Sequence, residues 1–353
     1  MNRIFSPKNT LDILLKIRAD SVIDNIRISR VFAKRASFVE EEKWTLTGQF
    51  DDSIFAVFRD SIADQFKQCL NAINFGTLFT DRPNAYCIKT EFGPLVMFSE
   101  ALYTYLYYVT ISFAGYWKGF GDDIKTRTVE QSLLIAVRTM ILAESFDFEL
   151  DPRGTPPESL NAVIKNVVRK EMLFIIAHEY AHFWLKHLDN NKLKDEDFSL
   201  YLLDNISGQR KPESPLTLSF YTVEQEQEFQ ADRLAIDILC EAYEDRGDIL
   251  LTAISVLLKI QLFESFANLL RKGKNESSHP PSLERCQQLL KSAKTTWNKE
   301  QVEQFESLKA IVGKFETSLS SLFQRDPTLF TNYGSAYLDQ WKIGKMKRDR
   351  LDY

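Results

Sequence analysis

Cysteine is scarce in this chain and unclustered. The four, Cys69, Cys87, Cys240 and Cys286, stand far apart and none falls in a Cys-x-x-Cys pair. A disulfide scaffold is thereby excluded, and three of the four sit in apolar-periodic stretches, as reduced core residues of a cytoplasmic protein would. Glycine and proline are also few, 13 and 11 in 353 residues. Against long apolar-periodic runs, that shortage predicts a mostly helical protein. There is no excess of positive charge: the net charge is −5 and the sequence pI is near 5.6, which argues against nucleic acid as the partner. The one basic run, Lys342, Lys345, Lys347, Arg348 and Arg350, reads as a solvated tail. The N-terminus lacks an apolar stretch of signal-peptide length. Residues 101–117 carry no charge but are diluted by tyrosine, threonine and serine, so no membrane span is expected.

Histidine is equally scarce, with four residues, and three of them fall between 178 and 187. His178-Glu179-Tyr180-Ala181-His182 is an HExxH pentad inside a stretch whose pattern is that of a buried helix. Residues four apart share a helix face, so the two imidazoles converge on one point. Two neutral imidazoles so placed suit zinc, which takes nitrogen and sulfur ligands in tetrahedral geometry. Glu179 can reach a water on the metal without ligating it, the placement of a general base. The bland reading of the same residues is a pair of hydrogen-bonded core histidines beside an incidental glutamate.

A tetrahedral site with one position open for water needs a third protein ligand. His187, five residues past His182, has rotated off the ligand face of a continuous helix, and it reads instead as a partner of the helix C-terminus. No cysteine lies near. A carboxylate from a second helix is therefore expected, and residues 224–239 supply one. Their apolar positions Phe229, Leu234, Ile236 and Leu239 predict an amphipathic helix. Glu228 and Asp232 share a face of it. Two buried carboxylates are costly unless compensated. Glu228 as ligand and Asp232 as acceptor for a ligating histidine's second nitrogen would compensate both. Alanines 177 and 181, and 231 and 235, would let the two helices approach closely. Glu224 and Glu226 read as a solvated face.

HEYAH followed by Glu228-Phe229-Gln230-Ala231-Asp232 resembles the HExxH…ExxAD pattern of the gluzincin peptidases, in particular the CAAX-prenyl endopeptidase and HtpX group. The resemblance implies zinc on His178, His182 and Glu228, Glu179 as base, and Asp232 beside the ligands. Two further stretches are similar to the same family. Pro83-Asn84-Ala85-Tyr86-Cys87 through Gly93 and Val96 to Ala101-Leu102 resembles its edge hairpin, which implies substrate backbone held at Asn84 and Ala85. Alternation and the Phe92-Gly93-Pro94 turn independently predict two short strands there. Ser278-His279-Pro280-Pro281 with Glu284-Arg285 resembles a segment that would bring His279 to the oxyanion and let Arg285 brace Asp232 or the substrate. A lone histidine before two prolines is otherwise a loop residue. The long separation of hairpin and HExxH helix implies a helical insertion. Membrane spans typical of many members are missing, so a soluble branch, such as the Lit-type phage-exclusion peptidases, is implied.

The expected architecture is mostly α with a small β-hairpin or sheet (α+β), a gluzincin core by resemblance. Residues 1–52 form an N-terminal α/β extension, with a helix at about 9–18 and strands around 25–33 and 43–50. Residues 53–293 form the metallopeptidase core, with a helical insertion at about 103–157. Residues 294–353 form a C-terminal helical extension and tail. Asp52-Ser53 reads as the cap of a helix running to about 74. Further helices are expected at about 128–145, 158–188, 222–243, 247–271, 281–293 and 298–323. The polar stretch 190–222 reads as a loop bordering the cleft. These features describe a zinc endopeptidase with one zinc per chain acting on a protein or peptide substrate. The alternative is a catalytically silent, zinc-stabilised binding or sensor protein, and last a coincidental pentad with no metal.

Overall fold

Asparagine caps organise the N-terminal region. The structure, a computed structural model, describes residues 7–37, 45, 47–80, 83–145, 148, 152–190, 225–240, 245–270, 281–293 and 296–341. Asn9 accepts from the Asp12 amide and starts helix α1 (Thr10–Asp24). Asn25 then accepts from Arg27 and Ile28 and starts α2 (Ile26–Ala36). The strand expected at 25–33 is thus a helix. The buried set is Ile28, Val31, Phe32 and Arg35, the i, i+3, i+4, i+7 pattern of a helix face, with Ile26 exposed. The strand expected at 43–50 is not seen either: residues 41–44 and 46 lie outside the described residues, and Thr47–Gln49 make one 3₁₀ turn.

The single helix expected over 52–74 is broken into α3 (Ser53–Ser61), α4 (Asp64–Lys67) and a 3₁₀ turn at Leu70–Ala72. Asp52 makes no side-chain cap. Its carboxylate instead takes two bonds from the buried Arg18 guanidinium, at 2.7 and 2.8 Å, and one from the Thr77 amide. Thr77 belongs to β1 (Asn74–Leu78), a strand not anticipated, which lies close against α1: a Cβ on Gly76 would fall 2.5 Å from a Leu14 methyl.

The expected hairpin is β2 (Ala85–Thr90) and β3 (Gly93–Ser99). The sheet order is β1-β3-β2, with β1 parallel and β2 antiparallel to the central β3. Tyr86 and Ile88 face α1 in one apolar cluster, while Ala85 and Cys87 face the main core. Ser99 caps the largely buried α5 (Glu100–Ala114), which pairs with α6 (Thr126–Met140).

Helix α7 (Glu158–Trp184) runs through the centre, and its second half is almost wholly buried. It ends at Leu185. Lys186, at φ 56°, is in the left-handed region and reverses the chain into the short α8 (His187–Asn190). Then follow α9 (Gln225–Cys240), α10 (Arg246–Leu270), α11 (Ser282–Ala293), α12 (Lys299–Arg325) and α13 (Thr328–Thr331). Helix α9 packs along α7, and all four alanines, Ala177, Ala181, Ala231 and Ala235, are fully buried. The stretch 191–224, the residues about His279 and the basic run from Lys342 lie outside the described residues.

Among the described residues one helix is long and apolar enough to cross a membrane, Arg246–Ala267 of α10, with mean hydropathy 1.7. It packs against α7, α11 and α12. Lys259 in its middle is buried and donates to Glu171 of α7 at 2.5 Å and to Thr110 at 2.7 Å. A second buried charge network ties the C-terminal strap to α6. Glu144 accepts from Arg138 at 2.7 Å and Arg153 at 3.0 Å, and Arg138 also donates to the Asn332 and Gly334 carbonyls.

Candidate metal centre

Helix periodicity places His178 and His182 on the side of α7 that meets α9, and there the two ring Nε2 atoms lie 3.1 Å apart. Glu228 of α9 faces both, with one carboxylate oxygen 3.4 Å from His178 Nε2 and the other 3.5 Å from His182 Nε2. All three side chains are buried, and their ligand atoms lie within 4.8 Å of one another. Ligands of a tetrahedral zinc at ~2.0–2.1 Å stand ~3.3 Å from each other. The two Nε2 atoms stand at 3.1 Å, and each has a different Glu228 oxygen at 3.4–3.5 Å, so the two imidazoles and the carboxylate converge closely enough to fit the ion.

The outward nitrogens of both rings are engaged too. His178 Nδ1 lies 2.9 Å from Asp232, one turn beyond Glu228 on α9. Arg285 of α11 grips the Asp232 carboxylate with two bonds, 2.8 Å from Nε and 2.6 Å from Nη2, and its Nη1 lies 3.1 Å from Glu228. Arg285 therefore braces Asp232. The electrostatics follow from this crowding. Burial and the Arg285 cation both press the His178 imidazolium to lose its proton, but the bonds to Asp232 and Glu228 outweigh them and raise its pKa to about 9. His182 moves the other way, well below the usual histidine value, through burial and then the charge on His178. Burial works to raise Asp232, yet Arg285 and His178 pull it down to about 2.

Glu179 is half-buried on the next position of α7. Its charge adds to burial in pushing the Cys87 thiol well above its usual value, which sets the glutamate beside β2. Among the described residues β2 is an edge of the sheet. Asn84 turns both backbone groups inward to Ser99, donating to its hydroxyl at 3.0 Å and accepting from its amide at 2.9 Å. By antiparallel alternation the backbone groups of Ala85, Cys87 and Lys89 face away from β3 instead, with the Ala85 amide donating to the Asn84 side-chain oxygen at 2.9 Å. Of the two strand residues singled out from sequence, Ala85 presents its backbone outward and Asn84 does not. His279 lies outside the described residues.

Sequence reasoning missed His187 and Gln230. His187 Nδ1 lies 3.0 Å from His182 Nδ1, and His187 Nε2 lies 3.2 Å from the Gln230 side-chain oxygen. The rotation argument that set His187 aside holds for an unbroken helix. The left-handed turn at Lys186, a non-glycine residue, carried no sequence signal.

Two histidines one turn apart on a central helix, with a glutamate from the helix packed against it, define a gluzincin-type zinc metallopeptidase. The chain belongs to peptidase family M48, whose family model matches residues 76–293, from within β1 to the last residue of α11. No curated protein and no solved structure matches the chain.

Proposed function

We propose that this metalloendopeptidase carries one zinc per chain on His178, His182 and Glu228, uses Glu179 as general base, and cuts a protein substrate laid along β2. The observation that carries the reading is the convergence of the two Nε2 atoms and the Glu228 carboxylate at ligand spacing. Zinc bound there would polarise the scissile carbonyl and acidify the attacking water. Glu179 takes the proton of that water and hands it to the leaving amine. Asp232, held by Arg285, fixes the His178 ring so that Nε2 keeps its lone pair inward. The outward backbone of Ala85, Cys87 and Lys89 pairs with an extended substrate and brings one peptide bond over Glu179. By family resemblance His279 stabilises the oxyanion.

A silent, zinc-stabilised binding protein would need a closed site with four protein ligands. Among the described residues three come together, which favours the enzyme. We place the chain in the cytoplasm, in a soluble branch such as the Lit-type peptidases. The four cysteines, none of them in a disulfide, support this, as does the packing of α10 around an internal ion pair.

Metal content of the wild type and of Glu228→Ala, purified without added metal, tests the site. About one zinc per wild-type chain, lost in the variant, is expected, and a zinc-free wild type after reconstitution would sink the reading. Glu179→Gln should keep its zinc and lose turnover, and full activity in that variant would remove Glu179 from the mechanism.

A further inference from the structure

The two histidines of the site are held from behind by different chemistry. His178 leans on a carboxylate, Asp232, itself ion-paired with Arg285. His182 leans on a neutral chain, His187 and then Gln230. We propose that His187 is a positioning residue for the metal site: it accepts a hydrogen bond from His182 Nδ1, fixing the tautomer that leaves His182 Nε2 free to bind zinc, and Gln230 fixes the tautomer of His187 in turn. The proposal rests on the metal-site reading above.

Hydrogen-bond bookkeeping carries it. Two Nδ1 atoms 3.0 Å apart can bond only if one bears a proton and the other a lone pair. His182 Nε2 faces His178 Nε2 and Glu228, so a ligating His182 must carry its proton on Nδ1. His187 Nδ1 is then the acceptor, which puts the His187 proton on Nε2. That nitrogen lies 3.2 Å from the side-chain oxygen of Gln230, which can only accept. Every link has one direction, and all point the same way, from the metal face outward. Glu228, Gln230 and Asp232 all belong to α9, so one short stretch supplies a ligand and a bond to each of the two arms.

Backbone conformation supports the assignment. On a continuous helix His187 would lie ~140° around the axis from His182. Lys186, at φ 56°, breaks the helix and swings the ring back, with the two imidazole centroids 5.2 Å apart and His187 buried. A left-handed lysine costs ~1–2 kcal/mol, and such strain persists where the surrounding structure holds it, often at functional sites.

The test is the zinc dissociation constant of the full chain, by chelator competition, with the melting temperature of the metal-free protein read alongside. His187→Phe keeps the ring and removes the acceptor. His187→Asn restores an acceptor oxygen near the position of Nδ1. We expect zinc to bind about 10–100-fold more weakly to His187→Phe and the asparagine variant to recover most of that loss at equal metal-free melting temperature. His187→Phe binding zinc as the wild type does, or His187→Asn binding no better than His187→Phe, would overturn the proposal. Should His187→Phe fail to fold, Gln230→Leu on the exposed side of α9 decides. Zinc weakened by about threefold or more supports the relay, and unchanged affinity refutes it. A wild-type chain that takes up no zinc would remove the metal site itself and this proposal with it.

Discussion

Lys259 and Glu171 lock α10 to the helix that carries the histidines, two turns before His178, and the pair can be taken apart one charge at a time. Both side chains are essentially sealed, with relative exposures of 2% and 1%, and they meet at 2.5 Å. Thr110 accepts a second bond from the ammonium, and Ser255 donates to the same carboxylate oxygen at 3.0 Å. Burial pulls the Lys259 pKa down, opposed by the charge and bond of Glu171, so the pair is held against a strong drive to neutralise. Lys259→Met would strand a buried carboxylate, and Glu171→Met a buried ammonium. Each should cost about 3–5 kcal/mol, while the double variant, with two apolar side chains of similar length, should fall within about 1–2 kcal/mol of the wild type or exceed it. The expected interaction energy is therefore several kcal/mol and of the sign that marks mutual dependence. Urea unfolding of the four proteins at neutral pH measures it, with equal slopes as the control that the unfolded states match. Additive losses, with the double variant as poor as the sum of the singles, would refute the reasoning. So would a single substitution costing under about 1 kcal/mol.

Other outcomes follow from the site. In the metal-free protein Asp232 is drawn down to about 2 from 3.8, so it stabilises the fold above pH ~4 and gives that up as pH falls toward 2. The shift is worth about 2 kcal/mol, and the stability gap between wild type and Asp232→Asn should close over that window; a gap independent of pH would contradict it. Lys186→Val puts a β-branched residue in the left-handed region and should lose at least ~1–2 kcal/mol together with zinc affinity, whereas Lys186→Gly should keep its zinc. Thermal melting and chelator competition check both, and a valine variant indistinguishable from wild type would show that the turn is not needed.

What was legible in the chain was what local spacing encodes. His178, Glu179 and His182 declare themselves because a helix turns four residues into one face. Glu228 and Asp232 do so for the same reason, and the structure brings both faces together. The hairpin was legible through its alternation and its Gly93 turn, where φ is +131°. What was illegible depends on partners remote in sequence. Strand β1 exists because it pairs in parallel with β3, which follows β2 in the chain, and because Gly76 admits Leu14. Asp52 looked like a cap but answers to Arg18 and Thr77. In α2 the buried face follows a helical period, and it ends in a charged arginine, Arg35, that is itself buried. His187 needed a backbone reversal that lysine does not announce.

Among the described residues β2 is a sheet edge, and that has a consequence for the protein at high concentration. Main-chain hydrogen bonding reads backbone, and every polypeptide has one, including a second copy of this protease. An uncovered strand edge is a template for pairing with any extended neighbour, and natural proteins guard such edges with charge, lysine above all. On β2 the guard is Lys89, the strand's one charged residue, at an exposed position near the hairpin turn. On the proposed function the same edge must admit substrate and exclude its own kind. Lys89 stands at the far end of the outward-facing row from Ala85, where it can discourage edge-to-edge stacking while leaving Ala85 and Cys87 clear.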